Sequence, residues 1–109
     1  MNWKNLTPEI LGQLISGTFP NTAVIFKHST RCSVSMMAKR HFERGFGYDE
    51  EKITPFYLDL LNYRDLSNKI AQAFDVQHQS PQILVIKNGK CVYHASHSEI
   101  DAANLEAVS

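Results

Sequence analysis

Residues 23–26, Ala-Val-Ile-Phe, offer no polar side chain to either face of a strand. A strand that is apolar on both faces belongs inside a sheet that is covered on both sides. A helical stretch follows, and then a second strand pattern, Ile53-Thr54-Pro55-Phe56-Tyr57-Leu58-Asp59-Leu60. Two sheet strands joined through a helix lie parallel, with a right-handed crossover. This one unit commits the chain to an α/β arrangement with helices on both faces of the sheet.

The remaining elements fit around it. Thr7-Pro8-Glu9 is a helix start, with Thr as N-cap, Pro in the first turn and an acid beside it. Ile10, Leu11, Leu14 and Ile15 form its apolar stripe, and Gly17 ends it. The helix after the first strand is expected from Ser33 to about Arg44, with Val34, Met37, Ala38, His41 and Phe42 at helical spacing. One of Met36 and Met37 is expected in the core, the other in solvent. Pro55 cannot donate to a ladder, which places it near a strand start or on an edge strand. Asn62 is expected to cap a third helix, with Asp65 in its first turn and Leu66, Ile70, Ala71 and Phe74 on its buried face. A loop through Ser80-Pro81 leads into the most apolar strand, Gln82–Ile86. Asn88-Gly89 is a strong hairpin signal, and the return strand runs from Lys90 to about His94. Ser98 could cap a last, frayed helix. The expected architecture is one domain over residues 1–109, with a mixed sheet of about four strands.

Cys32 falls where the first strand gives way to its helix. The unpaired N–H groups and the positive dipole end of a helix start stabilise a thiolate there, and Arg31 adds a neighbouring cation. A dithiol enzyme would carry its second cysteine three residues on. This chain has Ser35, so the motif is C-x-x-S, with one nucleophilic sulfur and no local resolving partner. The Ser35 hydroxyl is a candidate donor to that sulfur. Cys91 opens the last strand, away from any helix terminus, and reads as a structural thiol. Two cysteines make no disulfide scaffold, which suits a reducing cytoplasm. The five histidines match no zinc spacing, and no metal site is expected. His28 lies near the sulfur as a supporting residue. Lys+Arg and Asp+Glu both number 11, so no basic excess points to nucleic acid or an anionic membrane. No apolar run approaches the ~20 residues of a membrane span. The opening residues contain no signal-peptide stretch, so export is not expected.

Several ordered stretches carry a resemblance. They are Phe26-Lys27-His28-Ser29-Thr30-Arg31-Cys32, Tyr57-Leu58-Asp59-Leu60-Leu61-Asn62-Tyr63-Arg64-Asp65-Leu66-Ser67, Ser80-Pro81-Gln82-Ile83-Leu84-Val85-Ile86-Lys87-Asn88-Gly89 and Val92-Tyr93-His94-Ala95-Ser96-His97. Together they resemble the thioredoxin superfamily, and within it the monothiol bacilliredoxin-like proteins of the bacillithiol system, the YtxJ type. The chain departs from them at Ser33, where family members often carry proline; serine suits a helix start equally.

The resemblance implies a thioredoxin-like fold in which Pro81 is cis and its loop lies against the active sulfur. It implies a thiol–disulfide oxidoreductase that removes a low-molecular-weight thiol, bacillithiol, from mixed disulfides on client proteins. Cys32 would be the nucleophile, with Ser35 and Arg31 beside it. Thr30, Ser33, Ser80 and Pro81 would contact the substrate. No bound cofactor is expected; the small thiol is a co-substrate. The alternatives are a glutaredoxin-like carrier of an iron–sulfur cluster and a redox-sensing binding protein without turnover.

Overall fold

A computed structural model describes residues 1–108. Its order is β1 (Lys4–Asn5), α1 (Pro8–Ser16), β2 (Thr22–His28), α2 (Ser33–Gly45), β3 (Ile53–Asp59), α3 (Arg64–Phe74), β4 (Gln82–Lys87) and β5 (Lys90–Ser96). Two 3₁₀ turns follow, His97–Glu99 and Ala102–Ala107. The sheet order is β1-β3-β2-β4-β5. β2 and β3 are parallel, as the crossover requires, and β4 runs antiparallel to both β2 and β5. The Ser80–Pro81 bond is cis, as the resemblance implies.

β2 is central and buried along its length, and its side chains alternate between two cores. Ala23 and Ile25 join Leu11 and Leu14 of α1 and Ile70 of α3 on one face. Val24 and Phe26 join Phe42 of α2 and Ala102 and Leu105 of the last turn on the other. Local chemistry sets several element ends where expected. The Thr7 hydroxyl accepts the Ile10 N–H, and Gly17 closes α1 in the left-handed region. Asn88 and Gly89 both take positive φ, 53° and 81°, as a type I′ hairpin requires.

Four features differ from the sequence expectation. The sheet has a fifth strand, β1, paired parallel to Phe56 and Tyr57. Two polar residues carry no periodicity, so nothing local announces it. Pro55 is where it is expected, near the start of β3, and the outer side of the strand has no partner there because β1 begins one position later. Asn62 does not cap α3: its side-chain amide donates to Asp59 Oδ2, and the cap position is Tyr63, with no side-chain bond. The last helix is a pair of 3₁₀ turns, the second capped by Asp101 rather than Ser98. Finally, α2 buries Ser35 and Phe42, while Val34 is 55% and Met37 70% exposed and Met36 and His41 also face solvent. Among the described residues no helix is long and apolar enough to cross a membrane.

Phe42 packs against the rings of Trp3, Phe26 and Phe46, with centroids 5.7 to 5.9 Å away. Phe42→Ala should cost about 3–5 kcal/mol, the range for truncating a buried aromatic. Urea unfolding measures this, and a loss below about 1 kcal/mol would mean that α2 is not held by this ring.

Candidate active site

The strand β2 ends at His28, and Ser29-Thr30-Arg31 turns the chain into α2. The Cys32 N–H donates to the Ser29 carbonyl at 3.1 Å, closing that turn. Cys32 is the N-cap of α2 in extended conformation, and its carbonyl accepts the Met36 N–H at 3.1 Å, the first bond of the helix. The thiol is half-buried, and its side chain caps none of the helix N–H groups. The N–H groups of Ser33, Val34 and Ser35 lie ahead of the first helical bond and have no partner within the helix. Thr30, Arg31 and Ser33 surround the cysteine as exposed side chains.

Ser35 does not reach the sulfur. Its buried hydroxyl accepts the Ser29 N–H at 3.1 Å and pairs with His28 Nδ1 at 2.5 Å. The expected donor to Cys32 is therefore a tie between strand end and helix start. His28 itself is buried, with the Phe26 and Tyr57 ring centroids 6.1 and 5.6 Å away. Burial pushes its pKa down, the Lys39 cation adds to that, and the Asp59 and Glu43 carboxylates oppose it. Lys39 is held in turn by Glu43 at 2.9 Å and lies over the Trp3 and Tyr57 rings.

Pro81 is buried and Ser80 half-buried in the loop that enters β4. The Pro81 carbonyl accepts the His97 N–H at 3.1 Å, which fastens this loop to the end of β5. Beside the cysteine, the exposed Val34 and Met37 continue into a groove of about 640 Å³ whose walls include Ala38, His41 and Ile100.

Cys91 lies elsewhere. It pairs with Ile86, and Ile86 pairs with Ala23 at the start of β2. Cys32 follows the other end of β2, so the two thiols are separated by the length of that strand, ~16 Å over five residues. The Cys91 thiol donates to the Tyr93 carbonyl at 3.3 Å, and burial raises its pKa. Among the described residues no group of three or more His, Cys, Asp or Glu side chains gathers as metal ligands would.

Lys27 has no role in the sequence reading, yet it lies fully buried at 0% exposure one residue before His28. The available signal was a lone charge ending an otherwise apolar strand, Ala23-Val24-Ile25-Phe26-Lys27.

Comparison with known proteins bears on the family and the fold. A family model described as monothiol bacilliredoxin BrxC matches residues 5–105. A solved structure described as having a thioredoxin fold is 29% identical, with a TM-score of 0.76 over 93% of this chain and 87% of that one. Thioredoxin from Trypanosoma brucei brucei is 15% identical at a TM-score of 0.73, covering 97% of this chain and 86% of its own. Thioredoxin from Malassezia sympodialis is 19% identical at 0.68, covering 98% and 87%. The fold is thioredoxin-like.

The neutral state of His28 has a thermodynamic consequence. Its folded pKa lies below the ordinary 6.5, so between those two values the unfolded chain binds the extra proton and the folded chain does not. Stability present above pH 6.5 is therefore lost as pH falls below it. His78, also lowered by burial, acts with the same sign. His28→Gln should flatten the fall in unfolding free energy between about pH 7 and pH 5 relative to the native protein. Denaturant titrations across that range measure it, and an unchanged slope would mean that His28 is not held neutral.

Proposed function

The chain belongs to the monothiol bacilliredoxin family, and on that premise we propose that it removes a low-molecular-weight thiol, bacillithiol, from protein mixed disulfides. A thiol oxidoreductase-like role follows from the family and the fold. The observation that carries the finer reading is the placement of one half-buried thiol, Cys32, at the N-cap of α2, with a buried serine where a resolving cysteine would stand.

In this reading the Cys32 thiolate attacks the small-thiol sulfur of a client mixed disulfide. That disulfide breaks, a new one forms between Cys32 and the small thiol, and the client sulfur leaves as a thiolate that takes up a proton. No second cysteine stands at position 35 to expel the small thiol. A second molecule of small thiol, as its thiolate, therefore attacks the mixed disulfide on Cys32. It departs with the first as an oxidised dimer, and the Cys32 thiolate is restored.

Each surrounding residue has a part in this. The helix-start N–H groups and the Arg31 guanidinium favour negative charge at the exchanging sulfurs. Thr30 and Ser33 offer exposed hydroxyls on either side of the nucleophile. Ser80, ahead of the cis Pro81, presents backbone polar groups that an extended substrate can pair with. Ser35 acts through position, by holding the helix start against His28. The exposed Val34, Met36 and Met37 give the client protein an apolar, adaptable surface beside the thiol. The small thiol is a co-substrate, no resident cofactor takes part, and the reducing cytoplasm is the compartment in which such a cycle would run.

Incubation with oxidised bacillithiol should add one small thiol to the protein, read from intact mass. Cys32→Ser should abolish the adduct and Cys91→Ser should retain it. An adduct that persists in Cys32→Ser, or that maps to Cys91, overturns the assignment.

A further inference from the structure

A second site adjoins the cysteine on the other side of its turn. A cleft of about 310 Å³ is walled by Ser29, Arg64, Ser67, His78 and Ser80, with Leu60 and Leu61 at its edge. Ser29 is the residue whose carbonyl accepts the Cys32 N–H, and Ser80 is the residue before the cis proline. The cleft therefore shares one wall with the turn that carries the thiol and another with the loop proposed to hold its substrate.

The chemistry of this cleft is cationic. Behind it lies Lys27, fully buried, whose ammonium donates to His78 Nδ1 at 3.3 Å. The Ser67 hydroxyl lies at 3.3 Å from the same ring nitrogen. A lysine ammonium is a donor without acceptor capacity, so Nδ1 accepts and the His78 proton sits on Nε2. The imidazole is thus a neutral relay between a buried cation and the cleft. Burial, and then the Lys27 and Arg64 charges, push its pKa down, in keeping with that state. Burial also lowers the Lys27 pKa to about 8, which still leaves the group largely charged at neutral pH.

Among the described residues no carboxylate is paired with these charges: neither Lys27 nor Arg64 forms an ion pair. The nearby Asp59 has its oxygens bonded by the Leu61 N–H and the Asn62 amide. Asp65 is exposed on α3. A buried cation without a counter-charge is costly to a fold. Arginine presents a planar fork suited to a carboxylate, and hydroxyls such as Ser29, Ser67 and Ser80 complete such a site.

We propose that this cleft is a carboxylate-binding subsite, which receives an anionic arm of the small thiol while its sulfur exchanges at Cys32. The proposal rests on the thiol-exchange reading for its ligand, and on the Lys27–His78–Arg64 arrangement for its charge preference. Selectivity for an anionic thiol over a neutral one would then come from this cleft rather than from the residues that flank the sulfur.

Two measurements test it. The first does not involve the thiol: succinate is titrated into the protein and backbone amide NMR signals are followed. Shifts should centre on Ser29, Arg64, Ser67, His78 and Ser80 and should vanish in Arg64→Gln. Shifts that lie elsewhere, or that survive in Arg64→Gln, overturn the proposal.

The second measures the rate at which Cys32 is labelled by mercaptosuccinate disulfide and by hydroxyethyl disulfide, each divided by the rate with free cysteine. The ratio of anionic to neutral labelling should fall about tenfold in Arg64→Gln and in Lys27→Met, the weight of a charge-assisted hydrogen bond at a partly open site. Lys27→Met replaces a buried cation with an apolar chain of similar length, a change that folds tolerate well. A ratio unchanged in both variants, with Cys32 still labelled by both disulfides, overturns the cleft and leaves the exchange reading standing. Absence of labelling by either disulfide overturns the exchange reading, and with it the assignment of the cleft to a small thiol.

Discussion

The bond between His28 Nδ1 and the Ser35 hydroxyl is the tie on which the site's geometry depends. It joins the last residue of β2 to the first turn of α2, across the turn that holds Cys32. The Ser29 N–H donates to the same oxygen, so the hydroxyl is held from two directions. A helix is a rigid object with a fixed rotation per residue, and fixing one side chain at its start decides where all the others point. With Ser35 turned inward, Phe42 falls two turns further along the same face, into the ring cluster with Trp3 and Phe26. Val34 and Met37 are turned to solvent by the same rotation. The serine of C-x-x-S is thus a structural partner of the histidine, and the cysteine is placed by a bond in which it takes no part.

The carboxyl end of β2 explains why a reactive site forms here. Up to Phe26 the strand supplies apolar side chains alternately to two cores. Its last two residues break that pattern together. Lys27 continues the row of Ala23 and Ile25, on the face covered by α1 and α3, and meets His78. His28 continues the row of Val24 and Phe26, on the face covered by α2, and meets Ser35. Strand alternation therefore delivers one basic side chain to each side of the sheet at one level. Cys32 follows immediately beyond that level, at the carboxyl edge where open α/β sheets bind their ligands. A polar layer inside an otherwise apolar interior is costly unless every group is paired. Among the described residues no buried side-chain nitrogen or oxygen lacks a partner.

Much of this was legible from residues alone, because the signals were local. A strand apolar on both faces followed by a helix requires a parallel crossover. Thr7-Pro8 starts a helix and Gly17 stops it through capping groups a few bonds away. Asn88-Gly89 turns the chain through its own positive φ angles. The position of Cys32 at the helix start needs nothing beyond the apolar run before it and the helical pattern after it. Ordered stretches such as Ser80-Pro81 before an apolar strand carried the resemblance that the family match over residues 5–105 supports.

What tertiary structure decided depended on partners far along the chain. β1 exists because Phe56 and Tyr57 offer an open edge, which two residues of polar sequence cannot announce. Val34, Met37 and His41 make a plausible stripe by spacing, but the face of α2 that is buried begins with a serine whose partner is His28. Lys27 meets His78 only because the fold brings the loop after α3 to it, with Ser67 of α3 against the same ring nitrogen. Sequence by itself determined which segments become strand, helix and turn, since backbone preference and periodicity act over a few residues. Which side chains face one another across those segments was decided by packing, since hydrogen bonds and charges act through space between residues that the chain order keeps apart.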